Sequence, residues 1–217
     1  LFPSKFAVYP DLLEQAGYVV GLTGKGWGPG DFKSPGWKRN PAGPSFDQLK
    51  MKDVPAFGIG RNDYSGNFAA FLKQRPAAKP FCFWMGFTEP PRAYELGSGV
   101  RAGKRLDDVK VPAYLPDTAV VRGDLLDYAV EVEHADQHIG RALGALEDAG
   151  ELDRTLIVVT SDHGMPFPFV KGQIFEDGFH LPLAMRWGDG IKPGRVVEDF
   201  INVRDFATLL GMPVSEV

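Results

Sequence analysis

The sequence predicts an α/β domain with a mostly parallel central sheet flanked by helices, and three observations lead there. Thr155-Leu156-Ile157-Val158-Val159 is a short, β-branched apolar run, the pattern of a parallel strand buried on both faces. Phe81-Cys82-Phe83-Trp84-Met85-Gly86-Phe87 is apolar throughout and reads the same way. Helical periodicities precede and separate these runs, the longest from Leu125 to Leu146. Ligand sites in open α/β sheets gather beyond the carboxyl ends of the strands, and Thr160-Ser161-Asp162-His163-Gly164 leaves the first run at that end.

At 217 residues, 44% of them hydrophobic, the chain has the size of one domain and can bury a sizeable core. A net charge of −4 with both signs interspersed leaves no electrostatic footprint for nucleic acid and no membrane-surface patch. No apolar stretch is long enough for a membrane-spanning helix. The single cysteine, Cys82, excludes an internal disulfide framework and a Cys-rich zinc site. With 26 glycines and 18 prolines, long ordered loops are expected.

From the amino end, Ala7 to Tyr18 reads as a short helix, with Pro10 near its start and Gly17 as its stop. Tyr18 to Thr23 follows as a strand and ends in Gly24-Lys25-Gly26-Trp27-Gly28-Pro29-Gly30. The glycines and proline force a loop there and make Lys25 a candidate anion contact. Their spacing does not match a Walker A loop. Residues 31–60 read as loop with a possible substrate rim. Asn62 to Gln74 has a helical apolar face of Phe68, Phe71 and Leu72, with Asp63 or Ser65 as its cap. The apolar strand 81–87 delivers Thr88 to Glu95 to the same sheet edge, and Cys82 is read as a packed core thiol. Arg92 suits bidentate contact with a carboxylate or sulfate, and a structural salt bridge is its equal alternative.

After a charged connection over 96–122, Leu125, Ala129, Val132, Asp136, Ile139, Leu143 and Leu146 share one helical face expected to pack on the sheet. Asp136 would interrupt that apolar seam and need hydrogen-bond partners. Glu131, Glu133, His134 and His138 lack a metal-helix spacing and are read as a solvated face.

Asp162 and His163 supply oxygen and nitrogen donors for a divalent cation, and Gly164 lets the backbone turn away beneath them. Lys171, eight residues past His163, adds a compact positive charge, and a metal with a lysine makes an anion site. The plainer alternative has Asp162 capping a turn, His163 packed and Lys171 solvated. His180 to Trp187 reads as a further strand turning at Gly188-Asp189-Gly190. His180 is a candidate site residue, with a structural hydrogen bond as its other reading.

Ser161-Asp162-His163-Gly164, then Lys171-Gly172, Glu176-Asp177-Gly178 and Leu181-Pro182-Leu183, resemble the sulfatase family of the alkaline-phosphatase superfamily. The resemblance continues in order through Lys25, Glu89 to Glu95, and Asp136-Gln137-His138-Ile139-Gly140; the Lys25 loop resembles the bacterial branch similar to heparan N-sulfatase. It implies an alkaline-phosphatase-like α/β fold, with 1–217 a partial catalytic domain lacking its nucleophile-bearing N-terminal part and C-terminal subdomain. It makes Asp162 and His163 ligands of Ca2+, with Mg2+ less favoured, and Lys171 a sulfate contact. Lys25 would support the sulfate and a formylglycine, and Glu89, Arg92 and His180 would contact substrate. Residues 201–211 resemble the family's closing helix. Trp27 and Pro91 stand where members carry histidines.

The resemblance implies hydrolysis of a sulfate ester or sulfamate on a sulfated carbohydrate, in a periplasmic or secreted enzyme. Neither a paired Asp after a first strand nor a Cys- or Ser-x-Pro-x-Arg nucleophile motif occurs in the chain, so the polypeptide alone is expected to show no turnover. Two alternatives remain: a phosphoester hydrolase of the same superfamily, and a non-catalytic fragment that binds sulfated glycan or anion.

Overall fold

The computed structural model describes residues 3–27 and 31–202. The chain divides into two units, one drawn from positions 1–49, 63–86 and 194 onward, the other from 50–62 and 87–193.

In the first unit, helix α1 (Tyr9–Gln15) starts with Pro10 in its first turn and is followed by Gly17 at φ +90°, as the sequence predicts. Strand β1 (Val19–Gly24) runs parallel to β2 (Phe81–Gly86), in register from Val19 opposite Phe81 to Gly24 opposite Gly86. Helix α2 (Tyr64–Gln74) is capped by Asp63, whose carboxylate accepts from the Gly66 amide. Its Phe71 ring is buried against Phe83, 4.7 Å between centroids, and edge-on to Phe46 at 5.3 Å. Gly21 makes room for it, because a Cβ there would lie 2.9 Å from the Phe71 ring. The strand ends approach just as closely: a Cβ on Gly24, at φ +74°, would meet the Gly86 carbonyl at 2.2 Å. That approach lets the Lys25 amide donate to the Gly86 carbonyl at 2.6 Å and the Trp84 indole donate to the Lys25 carbonyl at 2.8 Å.

The second unit is built on α4 (Ala119–Asp148), capped at its start by Thr118. Its buried positions are Leu126, Asp127, Val130, Glu131, His134, His138, Ala142 and Leu146, which corrects the expected face by one position. Asp136 is exposed rather than seated in an apolar seam, and Val132 is 40% exposed. Glu131, His134 and His138 are buried rather than solvated. Apolar counting misplaces the face because it passes over buried polar positions, one of which is held by specific partners. Asp127 accepts from the amides of Gly97 and Gly99, both at 2.8 Å, and from the Ser98 hydroxyl, so it caps the short helix α3 (Ser98–Arg101). Val130 packs with Ala56 and Ile59.

Strand β3 (Ile157–Thr160) pairs antiparallel with β4 (Leu183–Arg186). The expectation of a central parallel strand buried on both faces is thereby corrected: the parallel pair is β1–β2, and β3 alternates half-buried and exposed positions. A β-branched run fixes extended conformation, whereas the neighbour it bonds is set by tertiary packing. Residues 203–211, most of the stretch likened to a closing helix, and Gly28-Pro29-Gly30 lie outside the described residues. Among the described residues, no helix is long and apolar enough to cross a membrane.

Candidate functional site

The turn after β3 sets two donors face to face. The Ser161 hydroxyl donates to the His163 carbonyl at 2.6 Å, and His163 Nδ1 lies 2.7 Å from the Gly164 carbonyl. A carbonyl only accepts, so Nδ1 carries a proton, and in the neutral ring Nε2 then presents its lone pair. That nitrogen lies 3.4 Å from Oδ1 of Asp162. Two electron-rich atoms held this way suit a cation between or beside them, with a hard carboxylate oxygen and an imidazole nitrogen as donors. Ca2+ takes about 6–8 ligands, and no group of three or more His, Cys, Asp or Glu side chains with metal-binding geometry occurs among the described residues. Asp162 and His163 therefore fit part of a divalent-ion shell.

The loop that follows is closed on itself. A Cβ on Gly164 would stand 1.9 Å from the Asp177 carbonyl, and one on Gly178 would stand 2.5 Å from the Gln173 carbonyl. Val170 and Phe167 are buried inside the loop, at 0% and 6% exposure. Lys171 sits on the outside, exposed and in no ion pair among the described residues. His180, which follows α5 (Glu176–Phe179), is exposed and pairs with Glu176, Nδ1 to Oε1 at 2.7 Å.

Arg92 is tied down on several sides. Its guanidinium grips both carboxylate oxygens of Asp124 and donates from Nε to the Pro166 carbonyl at 3.1 Å. It also lies over the rings of Tyr94 and Phe167, at 4.9 and 4.7 Å. The Asp124 hydrogen bonds hold its pKa above the ordinary arginine value. Of the two roles the sequence left open for Arg92, the salt bridge is the one formed here. Glu89 is 7% exposed, accepting from the Gly60 amide at 2.7 Å and the Thr88 hydroxyl at 3.1 Å. Lys25 stands half-buried in the other unit, its backbone fixed at the end of the β1–β2 pair.

Sequence reasoning passed over the buried polar line of α4. Burial first, and then the charge of Glu89, raise the Glu131 carboxyl to about 7. Burial lowers His134, against the opposing pull of Glu89. The His134 and His138 rings meet edge to face at 4.7 Å. Their signal was in the chain: positions 126, 130, 134, 138, 142 and 146 form one unbroken helical row, with histidine at two of them.

The sulfatase family model matches residues 2–211. Human N-sulphoglucosamine sulphohydrolase is 36% identical over 149 residues, covering 58% of this chain and 30% of its own length. N-acetylglucosamine-6-O-sulfatase of Bacteroides thetaiotaomicron is 34% identical over 120 residues, covering 54% of this chain and 20% of its own length. The first three curated relatives are spanned over 30%, 18% and 27% of their length, so the chain covers less than a third of each. Among solved structures, yidJ from Bacteroides fragilis superposes with a TM-score of 0.60 at 18% identity, over 86% of this chain and half of that one. Ps i-CgsB superposes with a TM-score of 0.57 at 20% identity, over 88% of this chain and 51% of that one. These likenesses carry the α/β fold, and the family match covers all but a few residues at either end of the chain. This chain belongs to the sulfatase family.

Proposed function

We propose that the chain is part of a hydrolase that cleaves a sulfate ester or sulfamate on a sugar, and that Asp162, His163 and Lys171 are its contribution to binding the anion. The observation that carries this reading is His163 Nε2 set 3.4 Å from Oδ1 of Asp162, an imidazole nitrogen and a carboxylate oxygen side by side, a pair of atoms suited to a cation when the ring is neutral. Asp162 and His163 would hold Ca2+, or less favourably Mg2+. The bound ion would add positive charge for the sulfate oxygens. Lys171, exposed on the closed loop, offers a compact ammonium to the same anion. Lys25 is proposed as a sulfate contact on its place in the family pattern alone. Arg92 and Glu89 act through the segment they brace, and exposed His180 is offered to sugar hydroxyls. The names of two relatives, a sulphohydrolase of N-sulphoglucosamine and a 6-O-sulfatase of N-acetylglucosamine, support a sulfated amino sugar. A periplasmic or secreted location is proposed on the family likeness.

Formylglycine finds no fit among these residues. The Cys- or Ser-x-Pro-x-Arg motif does not occur, and the Cys82 thiol is pushed up to about 11 by burial in β2. We therefore expect the pure 217-residue chain to bind Ca2+ and inorganic sulfate by calorimetry, and to lose Ca2+ binding in Asp162→Ala. It should release no sulfate from glucosamine N-sulfate or glucosamine 6-sulfate. Metal-dependent sulfate release by the chain would overturn the missing nucleophile, and absence of Ca2+ binding would overturn the site. Pro91 and Trp27, in place of histidines, favour a second reading as a glycan-binding member without turnover. Binding of sulfated sugar with no hydrolysis by the whole gene product would select it.

A further inference from the structure

We propose that Phe169 and Phe175, with Tyr114 at their edge and Lys171 alongside, form a subsite that stacks a pyranose ring of the sulfated sugar. The proposal rests on the sulfated-sugar reading above and adds the part of the ligand that lies beyond the sulfate.

The rings form a cluster that is not buried. Phe169 and Phe175 are 56% and 54% exposed, with centroids 6.2 Å apart and planes 68° apart. Tyr114 meets Phe169 edge-on at 6.5 Å. Core aromatics in this protein, such as Phe71 at 1% exposure, are enclosed. Phe169 also has φ +67°, a left-handed conformation disfavoured for a bulky side chain. The buried neighbour Val170 anchors the backbone there, so the loop presents the Phe169 ring outward against its backbone preference. A glycine would relieve that strain and lose the ring.

The polar groups around the rings favour a sugar over a protein or lipid partner. A pyranose has an apolar C–H face, which matches the electron-rich face of an aromatic ring, and a rim of hydroxyls that need partners. The Tyr114 hydroxyl donates to Oδ2 of Asp177 at 2.5 Å, which leaves Oδ1 to accept from a sugar hydroxyl. Lys171, two residues past Phe169, supplies the charge that complements a sulfate on the same sugar. The Asp177 carboxylate and the Lys171 ammonium on the same loop supply partners for a sugar's hydroxyls and sulfate, which a wholly apolar protein or lipid contact would leave unpaired.

The test is calorimetry on the 217-residue chain with three probes: an N-sulfated glucosamine-containing disaccharide, its unsulfated counterpart, and inorganic sulfate. Phe169→Gly and Phe175→Ala should weaken both disaccharides roughly tenfold and leave inorganic sulfate unchanged. Lys171→Met should weaken inorganic sulfate and the sulfated disaccharide and spare the unsulfated one. Phe169→Gly removes the left-handed strain, so its melting temperature should not fall, and Phe175→Ala tests the platform at a position with ordinary backbone. Equal disaccharide binding by wild type and both Phe variants would overturn the proposal. So would failure of the wild type to bind either disaccharide, or Phe169-dependent self-association in sedimentation. Phe169-dependent binding of the unsulfated disaccharide, with no binding of inorganic sulfate, would refute the sulfate reading while keeping the subsite.

Discussion

Arg92 holds Asp124 with both arms of its guanidinium, fastening the segment that leaves β2 to the helix that organises the second unit. The same side chain lies over Tyr94 and Phe167 and takes the Pro166 carbonyl, so three segments share one cation. The pair itself is a third or more exposed on each side, and such pairs contribute under about 1 kcal/mol. Most of the stabilisation lies in the planar stacking and the carbonyl bond. Arg92→Lys is therefore expected to lose about 1–2 kcal/mol, nearly as much as Arg92→Met. Urea denaturation of the three proteins checks this, and full retention of stability by the lysine variant would contradict it.

Glu131 gives stability a dependence on pH whose sign is fixed. Its carboxyl is raised from 4.5 to about 7 in the folded chain, so between those values the folded state holds a proton the unfolded state has released. Its contribution is fully present below pH 4.5, falls as pH rises toward 7, and is level above. Glu131→Gln should remove that slope and be more stable than wild type at pH 8, by on the order of 2 kcal/mol. His134, lowered by burial, acts in the opposite sense, losing stability as pH falls below 6.5. Glu89 faces both groups and Arg141 faces His134. The glutamine variant should thus show a stability that rises with pH up to about 6.5, measured by thermal melts from pH 5 to 8.

Gly164→Ala should open the loop that carries the candidate metal ligands. The added methyl has the Asp177 carbonyl 1.9 Å away, and backbone cannot rotate aside as a side chain can. A loss of about 2 kcal/mol or more is expected, together with weaker Ca2+ binding in a calorimetric titration. Unchanged melting would mean that the loop closes differently.

Asp127→Ala should leave the Gly97 and Gly99 amides and the Ser98 hydroxyl without their acceptor. The carboxylate is 2% exposed, so water does not readily replace it. A cost of about 2–4 kcal/mol is expected, and hydrogen exchange of those two amides, at the start of α3, should accelerate ahead of the amides of α4.

Local features of this protein were legible in its sequence, and those that depend on distant partners were not. Pro10 and Gly17 bracket α1, and Asp63 caps α2, because each acts within a turn of its own position. Strand β2 was readable as a parallel strand from its apolar run, whereas its partner β1 and the exposure of Trp84 were not. The face of α4 was not readable. Its buried Asp127 is bonded to Gly97, and its buried Glu131 and His134 feel the charge of Glu89, groups far away in sequence. In the candidate site, the Asp162–His163 juxtaposition was visible because the residues are neighbours. Asp124 as the partner of Arg92, 32 residues along the chain, was not.

The bond from the Trp84 indole to the Lys25 carbonyl gives the chain an intrinsic optical probe. The ring is 46% exposed, so its emission depends on water and on whether that bond is made. Any ion or sugar that repositions the peptide group of Lys25 would change the fluorescence of Trp84. A variant in which Trp27, Trp37 and Trp187 are replaced by phenylalanine would then report binding from a single chromophore, without a label.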